Sequence, residues 1–205
     1  MTRPGRPTGP KPGFSRHQVV ETALELGIAD FTLACVASRL GVATSALYRT
    51  ITSRDDLLRA CLEELASRID FIADPANWRR TVRAQAECLW VLLEANPGLD
   101  RVLQMLPWAA ECFATTIGAA YQALVEAGVG EHDAALMVDM VADTTIATHL
   151  GIVAMRRRPV DDAAPEPMFS SLPRPFHAEQ SWTDRGWLDR KIDLIIDGLS
   201  TRISS

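Results

Sequence analysis

The chain has 205 residues, 47% of them hydrophobic and 23% charged, an ordinary globular balance with enough length for one compact helical body or a small domain on a larger one. The net charge of −5 conceals an asymmetry: residues 1–54 hold seven Lys/Arg against three acids, a net +4, and the remainder carries −9, which suggests a polyanion partner for one end. Asp139, Asp143 and His149 interrupt the most apolar stretch, 134–155, which excludes a membrane span. The basic N-terminus has no apolar core of a secretory signal.

In chain order, residues 1–14 read as a flexible basic arm, rich in proline and glycine and carrying Arg3, Arg6 and Lys11. Ser15 caps a first helix with Val19, Val20, Ala23, Leu24 and Leu26 as its stripe, and Gly27 stops it. Thr32 caps a second helix with Leu33, Val36, Ala37 and Leu40 inward, ending at Gly41. A short third helix is expected over 44–50, with Thr44 as its cap and Ala46, Leu47 and Ile51 inward. Ser53 caps a fourth, with Asp55 and Asp56 in its positive first turn, running to about residue 72. Asp74-Pro75 marks a domain boundary, so 15–72 and 75–205 read as separate domains.

Asn77 caps a helix to Ala95, Asn96-Pro97-Gly98 is a turn, and a short helix over 99–106 ends at Pro107. One long helix is expected over 108–127. The next, 131–156, is the longest and apolar nearly all round, so buried or at an interface. Residues 159–182 are irregular, with five prolines; Phe169, Phe176 and Trp182 suggest a packed lid, against the alternative of a linker. A last helix is expected over 184–203. Cys35, Cys61, Cys88 and Cys112 stand more than twenty residues apart with no Cys-x-x-Cys pair. That spacing fits neither a local zinc site nor a disulfide framework, and a reducing cytoplasm is the expectation. No strand pattern, metal signature or cofactor motif is found.

Two helices joined through Gly41-Val42-Ala43 form a helix-turn-helix pattern, whose second helix enters the major groove in DNA-binding versions. With it go Phe31-Thr32-Leu33, Val36-Ala37-x-Arg39-Leu40-Gly41-Val42, Ala46-Leu47-Tyr48 and Ser53-Arg54-Asp55-Asp56-Leu57-Leu58. Over 15–65 the sequence resembles the TetR family of bacterial transcriptional regulators. The first helix is about a turn short, and Cys35, Ala43 and Ile51 stand where the family more often has a polar residue, a serine and an aromatic. The resemblance implies an all-α chain: an N-terminal three-helix helix-turn-helix DNA-binding domain, then a C-terminal helical domain for ligand binding and dimerisation. It implies a palindromic double-stranded operator, a homodimer, and repression relieved by a small-molecule effector.

The DNA-contact residues expected on that basis are Thr32, Thr44, Ser45, Tyr48, Arg49, Thr50 and Arg54. Arg49 can fork onto guanine. Arg54 sits at a helix start, where a cation is unfavourable and a phosphate would compensate. Arg3-Pro4-Gly5-Arg6-Pro7 resembles minor-groove hooks, which would place Arg3 and Arg6 against DNA. For the effector the candidates are Trp90, Met105, Trp108, Cys112, Phe113, Thr116, Tyr121, Met140, Asp143, Thr144 and His149. The polar residues of 139–149 line either a pocket or a dimer interface. Two competing classes remain: an enzyme with Asp143 and His149 as an acid–base pair, and a helical dimer acting by protein contact without DNA.

Overall fold

The computed structural model describes residues 13–156, 171–176 and 184–203, and all regular structure among them is helical. Arg3, Arg6 and most of 159–182, with Phe169 and Trp182, lie outside the described residues.

Four helices build the N-terminal head: α1 (Arg16–Leu26), α2 (Leu33–Arg39), α3 (Thr44–Leu47) and α4 (Arg54–Ser67). Ser15 caps α1 in a capping box with Gln18, Thr32 accepts from the Cys35 N–H, and Ser53 accepts from the Asp56 N–H. The turn after α2 is a complete Schellman motif. Gly41, at φ 68°, donates to Ser38 O, and Val42 donates to Ala37 O. It redirects the chain so that Leu47 and Ile51 reach the core, where both are buried with Val19, Phe31, Val36, Leu58 and Leu62.

Helices α5 (Trp78–Ala95), α6 (Leu99–Met105), α7 (Ala114–Glu126), α8 (Glu131–Arg156) and α9 (Leu188–Ile203) form the body. α8 has the length and apolarity of a membrane span, but it packs against α5, α6, α7 and α9, and its buried His149 meets Asp100 of α6. A second core, with Val82, Trp90, Leu124, Val141 and Ile196, lies wholly in the body. The first core crosses the break at 72–75, because it takes in Leu93, Leu99, Val102, Ala109 and Phe113. Gly98 permits a close approach across it. Its φ is 90°, and a Cβ there would stand 2.7 Å from the Ala29 Cβ.

Several boundaries differ from the sequence expectation. α3 ends at Leu47, and residues 48–50 continue as tight turns, with Thr50 donating to Leu47 O through both its N–H and its hydroxyl. Thr44 is not a cap: Ala43 holds that position and no side chain closes the end. α4 stops at Ser67, where Arg68 turns out to bond Glu21 and Glu64. The helix expected over 108–127 divides into a 3-10 segment, Pro107–Phe113, and α7, because Pro107 opens the segment with no N–H and extended Leu106 before it. α9 begins at Leu188, since Gly186 takes a left-handed φ of 58° in the turn before it.

Candidate functional site

Two sites stand out, one on the outer face of the head and one inside the body. In the head, Thr44, Ser45, Tyr48 and Arg49 are all exposed around α3 and its following turn, and Tyr48 presents 56% of its surface. Leu47 anchors this outward face from beneath. The Arg49 guanidinium has no hydrogen-bond or ion-pair partner among the described residues. Thr32 is exposed and its oxygen already accepts from Cys35 N–H, while Thr50 is half-buried with its hydroxyl on Leu47 O.

The other cations of the head have internal work. Arg16 donates to Thr50 O at 2.7 Å and pairs with Asp56 at 2.8 Å, tying the ends of α1, α3 and α4 together. That guanidinium, with the Thr52 N–H, holds the Asp56 carboxyl down to about 2. Arg54 meets backbone carbonyls of its own chain. It donates to Phe31 O and Ala29 O, each at 3.3 Å, and lies 4.8 Å over the Phe31 ring. Carbonyls of the α1–α2 turn thus offset the cost of a cation at this helix start. His17, Glu21 and Glu64 bring ligand atoms within 4.8 Å of one another. Arg68 bonds both carboxylates, so the cluster is an ion-pair network.

In the body a cavity of about 610 Å³ opens among α5, the 3-10 segment, α7 and α8. Its walls are mostly apolar, including Leu89, Leu92, Leu103, Ile117 and Ile146. Of the effector candidates, Phe113, Thr116, Tyr121 and Asp143 line it. The other seven lie elsewhere, so the space is not between Trp90, Trp108 and His149. Trp90 packs in the second core with its ring 5.1 Å from His149. Met105 is 74% exposed, and Trp108 lies under the Arg59 guanidinium at 4.7 Å. Cys112 is half-buried against the first core, Met140 faces a groove between α8 and α9, and Thr144 is half-buried.

His149 is the largest departure. It is 2% exposed, and its Nδ1 lies 2.9 Å from Oδ2 of equally buried Asp100 on α6. Nε2 stands 3.3 Å from Glu94 Oε1 but outside hydrogen-bond geometry. Asp143 lines the cavity and His149 does not, so the acid–base pair weighed for an enzyme is not assembled.

The sequence reading missed Gln85, Cys88 and most of the apolar wall. Gln85 lies on the apolar stripe of α5, and a polar residue on such a stripe was the available signal. Burial pushes the Cys88 thiol up, with help from the Asp70 and Glu87 charges, so the cavity holds it protonated.

No family model matches the chain. It is 32% identical over 111 residues to the HTH-type transcriptional repressor DrrR1 of Streptomyces coeruleorubidus, a match covering 51% of this chain and 40% of that one. The structure superposes on apo ActR from Streptomyces coelicolor with a TM-score of 0.72 at 17% identity, covering 96% of this chain and 99% of ActR. A second ActR structure, in complex with actinorhodin, gives 0.74 at 18% identity over 94% and 99%. TetR from Acinetobacter baumannii AYE gives 0.69 at 20% identity over 94% and 100%. With its helix-turn-helix head on an all-helical body, the chain has the fold of the TetR-family regulators.

Proposed function

We propose that the chain is a ligand-responsive transcriptional regulator: a cytoplasmic homodimeric repressor that binds a palindromic operator and is released by a small-molecule effector. The observation that carries this is the outward face of α3. Thr44, Ser45, Tyr48 and the unpaired Arg49 guanidinium face outward above buried Leu47 and Ile51, which supports reading α3 as the helix that enters the major groove. The repressor name of the Streptomyces coeruleorubidus relative supports it. So does the cavity, whose volume falls within the range of about 300–1,000 Å³ usual for small-molecule sites. A pair of copies would meet through α8 and α9, where Leu136, Met140 and Leu194 expose apolar surface beside one groove.

Release follows from how the parts join. Leu103 of α6 lines the cavity, and Gly98, capping the same helix, rests on Ala29 of the head. An effector that favours one placement of α6 and α4 changes the spacing of two α3 helices, which must be about 34–36 Å apart to enter successive grooves. Its coupling free energy would be about 1–3 kcal/mol. Gel-shift titration against DNA flanking the chain's own gene tests the reading. A shifted complex lost on Arg49→Ala supports it, and a wild-type chain that shifts no duplex, palindromic or random, contradicts it.

A further inference from the structure

The cavity's walls are mostly apolar, and the charged residues that line it, both solvent-exposed, are acidic. Its lining includes Asp139 and Asp143 and no Lys, Arg or His. The two aspartates are four residues apart on α8, so their side chains are neighbours on one face, a like-charge arrangement that is mildly unfavourable in a helix. Neither has an ion-pair or hydrogen-bond partner among the described residues. Both lie beyond the first turn of α8, where the helix N-terminus would favour them. Gln85, 8% exposed, forms part of the same wall from α5. Its Nε2 donates to Val138 O at 2.9 Å, which fixes the orientation of the amide. Its Oε1 is therefore a buried acceptor with no partner among the described residues. Such an atom carries a desolvation cost unless a donor meets it. Phe113 and Tyr121 add aromatic surface, and Cys88 adds a neutral thiol.

Resting on the reading of this cavity as the effector site, we propose that its ligand is a lipophilic cation, an aromatic cation bearing an amino donor, whose charge sits by Asp139 and Asp143 and whose N–H meets Gln85 Oε1. The apolar walls hold the hydrocarbon, the carboxylates select the sign of charge, and the amide selects a donor. Organic anions of the same shape are disfavoured, because no cation in the lining answers them.

Calorimetry of the full chain with tetraphenylphosphonium and tetraphenylborate, alike in size and opposite in charge, tests the sign. The cation should bind more tightly by about tenfold or more, and Asp139→Asn with Asp143→Asn should bring the two within about threefold. Ethidium, which has amino donors, should lose about tenfold on Gln85→Leu, while tetraphenylphosphonium, which has none, should be unaffected. Equal losses for both overturn the role of Gln85. Ile117→Trp fills the cavity and should abolish binding. An anion that binds as tightly as the cation, and is displaced by Ile117→Trp, overturns the charge proposal but leaves the effector cavity standing. Cation binding that survives Ile117→Trp, or no binding by either ion, overturns both.

Discussion

The outer face of α3 and the middle of α8 carry similar polar residues, and the fold uses them in opposite ways. Around α3, Thr44, Ser45, Tyr48 and Arg49 all turn outward together. Along α8 the polar residues separate by face. Asp139 and Asp143 reach the cavity, Thr145 donates back to Val141 O, Thr148 accepts from Lys191, and His149 meets Asp100. A short helix with one buried side has a single solvent face. A long helix enclosed on several sides sends its polar residues to different surroundings, so Thr145, Thr148 and His149 each meet a partner while Asp139 and Asp143 have none among the described residues.

If the head is a rigid platform, removing its anchor should have the largest effect. Leu47→Ala, at a fully buried position, should lower stability by about 2–5 kcal/mol in urea unfolding. It should also weaken DNA binding, although Leu47 itself faces the core. A smaller loss would mean that α3 is loosely held.

The corresponding disruption in the body is Asp100→Ala. It leaves buried His149 Nδ1 without its acceptor and should cost about 1–3 kcal/mol in the same measurement. Because Asp100 and His149 lie outside the helix-turn-helix, the folded protein should still bind DNA. A cost equal to that of Leu47→Ala would erase the distinction between an anchored surface and a network of separate bonds.

Arg54→Ala tests whether that cation belongs to the head's structure. Loss of its bonds to Ala29 O and Phe31 O should reduce thermal stability by about 1 kcal/mol. An unchanged melting temperature with a reduced salt slope of DNA binding would return Arg54 to the phosphate role.

The pairing of Asp56 with Arg16 should show a smaller effect, with a definite sign. The folded carboxyl titrates at about 2, below its ordinary 3.8. Its stabilisation is therefore complete above about pH 4 and lost as pH falls through about 2. The pair is partly solvated, so the amount should stay below about 1 kcal/mol. Asp56→Asn should flatten the acid limb of stability against pH in that window, and an unchanged limb would show that the pair contributes nothing.

These regions also differed in how much of them could be read from sequence. The caps Ser15, Thr32, Ser53 and Asn77 and the turn at Gly41 were legible, because each rests on a local hydrogen bond or a positive φ. The inward set Val36, Leu47 and Ile51 followed from spacing. The bonds of Arg54 were not legible, because its carbonyl partners, at Ala29 and Phe31, lie more than twenty residues back and meet it only in the folded head. The cavity was harder. α8 is apolar nearly all round and gives no face for its periodicity to mark, so nothing local separates Asp143 in the cavity from His149 in the core. The trace that could have been followed was Gln85, a polar residue on the apolar stripe of α5.

The most direct test of a reading helix is Arg49→Ala. Arg49 is exposed and unpaired among the described residues, so its loss should change stability by no more than about 0.5 kcal/mol. Duplexes selected from a random pool by wild-type protein should then be titrated with both proteins by fluorescence anisotropy. The variant should lose about 1–3 kcal/mol of discrimination at one base pair in each half-site. Full affinity and an unchanged base preference in the variant would contradict the assignment of α3 to the major groove.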